Sequence, residues 1–259
     1  MRPARAPRHA ATCTSNEPLI ATTLTRVEAL VFDVFGTLVD WRTSLIGDLT
    51  AFGDERGLAA DWAALVDQWR GMYMPSMDRV RRGERPWASL DTLHRESFDA
   101  LAVQFGIDSG LDDAARSWCV DRWHHLRPWP DTVAGLTRLR TRYILGTLSN
   151  GNVRLLADLA KSAPLPMDVI FSAELFRHYK PDPEAYRGAV ELLATTPERV
   201  MLVAAHNGDL KAAAATGMRT AFVARPAEHG PGHAHDAVAE PGFDLAVRDL
   251  GELAERLGA

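Results

Sequence analysis

Leu30-Val31-Phe32-Asp33-Val34-Phe35-Gly36-Thr37-Leu38 joins an apolar run to an acid and a glycine turn, and the rest of the chain is read outward from it. The run Ala29–Phe32 is continuously apolar rather than alternating, which predicts a strand buried on both faces. Asp33 therefore stands at the carboxyl end of a strand, where open α/β sheets collect their ligands. It is the candidate nucleophile.

Beyond Thr132 the pattern alternates. Thr132 to Arg140 reads as a helix, and Ile144–Ser149, Val169–Ser172, Val200–Ala205, Thr220–Val223 and Leu245–Val247 read as strands. A helix starts after Gly151, and Gly217 stops another. Strands separated by helical stretches imply parallel crossovers, hence an α/β fold with a Rossmann-like, doubly wound parallel sheet. Residues 42–125 change to helical periodicity instead. Leu45, Leu49 and Phe52 make one stripe, Trp62, Leu65, Val66 and Trp69 a second, and Leu90, Leu93, His94, Phe98 and Leu101 a third. Six of the seven Trp fall between Trp41 and Trp123. A helical insertion placed directly after the nucleophile strand is positioned to cover a site, so it is read as a cap. The prolines of Arg127-Pro128-Trp129-Pro130-Asp131 close it. The expected organisation is a disordered tail over 1–24, a core over 25–41 and 126–259, and the cap over 42–125. The stretch from Arg81 to Pro86 reads as an exposed loop with solvated charges. The Gly-, Pro- and His-rich loop Ala227–Pro241 reads as weakly structured, and Gly230 to His235 within it offers a minor alternative as a metal loop, with two spaced histidines, His233 and His235, and no further ligands.

The chain has 259 residues, 46% of them hydrophobic and 24% charged, the composition of an ordinary globular protein. No apolar run approaches the roughly 18 residues of a membrane span. A net charge of −5 without a basic stripe argues against nucleic acid. Cys13 and Cys119, far apart, fit reduced thiols in a cytoplasm. The Arg- and Ala-containing residues before Leu24 lack the apolar core of a secretory signal. An apolar stripe left exposed on the cap would favour a homodimer.

Three further sites fall at strand ends. Leu148-Ser149-Asn150-Gly151 offers hydroxyl, amide and backbone N–H donors, suited either to an anion or to a helix N-cap. In His178-Tyr179-Lys180-Pro181-Asp182-Pro183-Glu184-Ala185-Tyr186 the prolines hold an extended loop that aims Lys180 inward, while Asp182 or Glu184 serves the next helix start. Val203-Ala204-Ala205-His206-Asn207-Gly208-Asp209 ends the fourth core strand with a histidine and an acid. Trp69-Arg70, followed by Met72 and Tyr73, places a cation after an apolar stripe on a cap helix.

Together these four motifs and the cap segment resemble the haloacid dehalogenase superfamily, and within it the type II L-2-haloacid dehalogenases, over about Val27 to Leu250. The resemblance implies that Asp33 attacks the substrate covalently, that Lys180 keeps it ionised, and that Asp209 is the acid of the last motif. It implies further that Arg70 and Asn150 receive the departing halide, that Ser149 holds the substrate carboxylate, and that Tyr186 lies near the nucleophile. Thr37 would fix Asp33 by hydrogen bonding. Superfamily phosphatases carry a second acid two positions after the nucleophile, and here that position is Phe35. A halide leaves without a proton whereas an alkoxide needs one, so Phe35 favours carbon–halogen cleavage. Magnesium-dependent members usually present two adjacent acids where this chain has Gly208-Asp209, so no metal and no other cofactor is expected. The dehalogenases usually carry Ser-x-Asn before the last acid. Ala204-Ala205-His206 departs from that pattern, and His206 is the residue left to hold or activate water. The expected reaction turns short 2-haloacids into 2-hydroxy acids with inversion, through an ester of Asp33. The alternatives are a magnesium-dependent phosphatase and a catalytically idle binding protein.

Overall fold

The computed structural model describes residues 26–231, 236 and 238–259. The tail expected at 1–24 and the histidines His233 and His235 lie outside the described residues.

The chain enters the sheet through β1 (Ala29–Phe32), all four residues of which are buried. A turn leads to β2 (Val39–Asp40), and the Asp40 carboxylate caps α1 (Trp41–Arg56) by accepting the Thr43 N–H at 3.0 Å. Asp61 caps α2 (Trp62–Arg81) in the same way. With α3 (Leu90–Gln104) and α4 (Asp113–Asp121) these helices form the cap. Its core is the apolar stripes: Leu45, Leu49, Leu65, Val66, Trp69, Leu93 and Phe98 are all buried. Each such side chain contributes about 1.5–3 kcal/mol through its removal from water. β3 (Arg127–Pro128) pairs antiparallel with β2 and returns the chain to the core.

From there α5 (Thr132–Arg140), β4 (Ile144–Ser149), α6 (Val153–Ser162), β5 (Val169–Ser172), α7 (Ala173–Phe176), α8 (Pro183–Leu192), β6 (Val200–Ala204), α9 (Asn207–Ala215), β7 (Arg219–Val223), β8 (Leu245–Val247) and α10 (Leu250–Arg256) follow in turn. The six core strands run parallel in the order β5–β4–β1–β6–β7–β8. After β1 the chain builds outward on one side through β4 and β5, then crosses to the other side to lay down β6. The order thus reverses between β1 and β6, which opens a crevice beyond their carboxyl ends. Asp33 and His206 sit on the two sides of that crevice.

Two readings of surface segments are corrected. Arg81 is not a solvated loop residue: it ends α2, and its guanidinium binds Asp182 at 2.8 Å in the loop that carries Lys180. Asp182 is accordingly turned to Arg81 and makes no side-chain cap for α8. The loop after β7 is not loose throughout, because Glu228 within it is only 3% exposed. No helix among the described residues is long and apolar enough to cross a membrane.

Candidate active site

Asp33 follows β1 directly, and its N–H continues the sheet by donating to the Val203 carbonyl at 3.0 Å. Its carboxylate is buried and fully bonded. Lys180 Nζ donates to Oδ1 at 2.9 Å, while the Thr37 hydroxyl at 2.7 Å and His206 Nδ1 at 3.0 Å both meet Oδ2. The Thr37 oxygen in turn accepts the Ala205 N–H at 2.9 Å, so the end of β6 orients the hydroxyl that orients the nucleophile. Burial would push the pKa of Asp33 up, but the Lys180 ammonium, His206 and Thr37 together hold its carboxyl far below the usual carboxylate range. Asp33 is therefore an anion at any ordinary pH.

Lys180 is placed by its own backbone. Its N–H donates to Asn150 Oδ1 at 2.7 Å and its carbonyl accepts from Asn150 Nδ2 at 3.3 Å, which fixes the loop after β5 to the end of β4. Its ammonium bridges Asp33 and Asp209 Oδ2, the latter at 2.5 Å. Burial disfavours the charge, yet Asp209 and Asp33 outweigh it and raise Lys180 above its ordinary value. The other oxygen of Asp209 accepts the Tyr186 hydroxyl at 2.5 Å.

On the far side of Asp33, His206 reaches Glu228, with Nε2 at 3.0 and 3.1 Å from its two oxygens. Burial alone would strip the ring of its proton. Glu228 and Asp33 override it and raise His206 to about 10, so the ring is an imidazolium that donates from both nitrogens. Glu228 is in turn held at about 2 against its burial, by His206, Arg70 and the indole N–H of Trp41 at 3.0 Å. The charges thus alternate along one line: Arg70, Glu228, His206, Asp33, Lys180, Asp209. Each buried charge has an opposite neighbour, which is the condition for keeping so many out of water. The line also explains Gly36. Its φ is +84°, and a Cβ there would collide with the Glu228 carboxylate.

A cavity of about 850 Å³ opens over these groups, with Phe35, Trp41, Tyr73 and Met74 among its apolar walls and Asp33, Arg70, Asn150, Lys180 and His206 among its polar ones. Phe35 packs edge-on against Tyr73 and Trp123, with centroids 6.3 and 5.7 Å away. Arg70 crosses from the cap, its guanidinium 4.2 Å over the Tyr73 ring and 5.3 Å from that of Trp41, with Glu228 at 3.9 Å. Its Nη1 is buried and makes no hydrogen bond among the described residues. A guanidinium held on two aromatic faces with an open donor at a cavity wall is suited to an anion.

Of the residues expected from the motifs, Asp33, Thr37, Lys180, His206, Asp209 and Tyr186 form one bonded group, and Phe35, Arg70 and Asn150 share its cavity. Ser149 stands apart. It is buried off the cavity wall, and its hydroxyl accepts the Gly151 N–H at 3.2 Å, the turn-capping alternative for such a residue. Glu228 was not foreseen at all. Cys119 is buried and its thiol is pushed up to about 12 by desolvation, so it is no nucleophile.

The donor set does not fit a divalent cation. Asp33 and Asp209, the two carboxylates a metal would need, have the Lys180 ammonium between them, and each remaining oxygen accepts a further hydrogen bond.

A family model described as haloacid dehalogenase-like hydrolase matches residues 27–251. The structure superposes on the crystal structure of the L-2-haloacid dehalogenase PA0810 with a TM-score of 0.87 and 52% identity, covering 90% of this chain and 99% of that one. The defluorinating L-2-haloacid dehalogenase Rha0230 gives a TM-score of 0.88 and 45% identity over 90% and 96% of the two chains. (S)-2-haloacid dehalogenase 1 of Pseudomonas sp. (strain CBS-3) is 29% identical over 202 residues, or 77% of this chain and 85% of that relative.

Proposed function

The chain belongs to the haloacid dehalogenase-like hydrolases, and within that family we propose that it hydrolyses the carbon–halogen bond of short L-2-haloacids to 2-hydroxy acids. The observation that carries this reading is the nucleophile's setting. Asp33 is a buried, ionised carboxylate facing a cavity in which the position two residues on is Phe35, whose side chain is an apolar wall and no proton donor. Such a site favours a leaving group that departs as a stable anion.

An Asp33 oxygen attacks the halogen-bearing carbon from behind, the carbon–halogen bond breaks with its electron pair going to the halide, and the carbon inverts as the ester forms. Arg70 offers its open donor to the departing anion beneath aromatic side chains that exclude water, where such a contact is stronger than in bulk. The substrate carboxylate is received by Asn150 and by the backbone N–H groups and Ser149 hydroxyl beside it. Water then adds to the carbonyl carbon of the ester. Collapse expels the 2-hydroxy acid, whose new oxygen came from Asp33, and restores the carboxylate. Because fluoride is the poorest of the halide leaving groups and a relative of 45% identity is a defluorinating enzyme, fluoroacetate belongs among the substrates tested.

The test is halide release from L- and D-2-chloropropionate with EDTA present and Asp33→Asn as control. Release confined to the L form and lost in the variant is expected. A single turnover in heavy-oxygen water should place the label in the protein rather than in the product. Phosphate release from aryl phosphates on adding magnesium, without halide release, would overturn the reading in favour of a phosphatase.

A further inference from the structure

Ester hydrolysis needs a group that takes a proton from water beside Asp33, and the groups touching that carboxylate are few. Lys180 is held as an ammonium between two carboxylates. Asp209 spends one oxygen on Lys180 and the other on Tyr186. Thr37 is a neutral hydroxyl already placed by the Ala205 N–H. His206 remains, with Nδ1 3.0 Å from Asp33 Oδ2, and with a side chain 20% exposed at the cavity. Its opposite nitrogen is fixed on Glu228, a carboxylate that Trp41 and Arg70 hold from the cap side.

Resting on the dehalogenase reading, we propose that His206 is the general base of the second half-reaction and that Glu228 is its positioning residue. In the resting enzyme the ring carries both protons because a carboxylate faces each nitrogen. Alkylation turns Asp33 into a neutral ester and removes one of those two anions. Glu228 keeps the Nε2 proton, and the Nδ1 proton leaves to solvent as the halide departs. Nδ1 is then a free lone pair directed at the ester. Water adds its oxygen to the ester carbon and gives one proton to Nδ1, which restores the imidazolium. The second proton of that water passes from the tetrahedral centre to the expelled alkoxide, leaving Asp33 ionised. Summed over both steps, one water is consumed and one halide, one proton and one 2-hydroxy acid are released. The charged groups facing the ring are Asp33 on its sheet side and Glu228 from the loop after β7, with His229 and Arg70 next to Glu228.

Rapid mixing of His206→Asn with L-2-chloropropionate is expected to give a burst of about one halide per protein, followed by turnover slowed on the order of 100-fold or more, the usual loss when a general base is removed. The Asp33 ester should accumulate and add the mass of the propionate unit to the intact protein. Glu228→Gln should show the same burst with a smaller slowing. Its hydrolysis step should also gain an acid limb displaced to lower pH, since the ring loses the anion that raises its basicity, a displacement that mere packing would not produce. The burst itself reports a folded site. Turnover within threefold of wild type in His206→Asn, or a displacement step slowed as much as hydrolysis, overturns the assignment, as does absence of a burst in both variants. Failure of the wild-type protein to release halide would instead count against the dehalogenase reading itself.

Discussion

Asp33 was legible in the sequence because it follows an apolar run at a strand end, whereas Lys180 and Asp209 were picked out by the proline-flanked loop, the last motif and the family resemblance those motifs carry. Glu228 was not legible, for the opposite reason. It lies in a loop without periodicity, and what makes it matter is contact with Trp41, 187 positions away, and with His206, 22 positions away. Ser149 shows how one residue type serves two ends, since its hydroxyl caps the turn by accepting the Gly151 N–H and the same group could cradle an anion. The His206–Glu228 contact has a thermodynamic consequence. His206 is raised from its ordinary 6.5 to about 10, so its contribution to stability is complete below pH 6.5 and is lost as pH climbs through 10. Glu228 is lowered from 4.5 to about 2, so its contribution is complete above pH 4.5 and is lost as pH falls through 2. Because each shift is caused partly by the other group, His206→Asn should flatten both limbs of a plot of Tm against pH. The alkaline decline between 6.5 and 10 should be reduced most clearly. A variant whose Tm tracks wild type across that range would contradict the assigned charge state.

At the scale of elements, the strand and helix pattern of the core was readable because parallel strands buried on both faces are written as continuous apolar runs. How the cap meets the core was not, since that depends on residues that look like solvated charges. Arg81 at the end of α2 reaches Asp182, two positions after Lys180. The Tyr179 hydroxyl donates to the Ala88 carbonyl at 2.7 Å, and Trp87 stacks on the Tyr179 ring at 4.6 Å. The loop that carries the active-site lysine is thus fastened to the cap on one side and to Asn150 on the other. Arg81→Ala should lower kcat/KM several-fold through loss of alignment while costing only about 1 kcal/mol of stability, the scale of a partly exposed ion pair. Arg85→Ala provides the contrast. Arg85 binds Glu96 within the cap, at 2.6 Å, and its loss should leave kcat/KM unchanged. Equal effects of the two substitutions would show that the Arg81 bridge has no bearing on the site.

Across the whole molecule, the site is assembled from the ends of β1, β4 and β6, the loops after β5 and β7, and two cap helices, so its charge balance is a property of the complete fold. Asp33, Asp209 and Glu228 supply three negative charges, and Lys180, His206 and Arg70 supply three positive ones. A substrate carboxylate adds one negative charge, and the displacement carries one away as halide, so the buried ensemble never departs far from neutrality. A magnesium ion would add two positive charges to a set whose carboxylates are already matched. It would also have to displace the Lys180 ammonium from between Asp33 and Asp209, leaving that cation buried and unpaired, an arrangement that costs about 3–5 kcal/mol. Dialysis against EDTA should therefore leave turnover of L-2-chloropropionate unchanged. Magnesium added to millimolar concentration should leave Tm unchanged as well, because a ligand that bound the native state would raise it. Lys180→Ala is the informative variant: with the ammonium gone, the two carboxylates face each other and a dication should now raise Tm. A rise of the same size in the wild-type protein would show that the lysine does not hold that position against a metal.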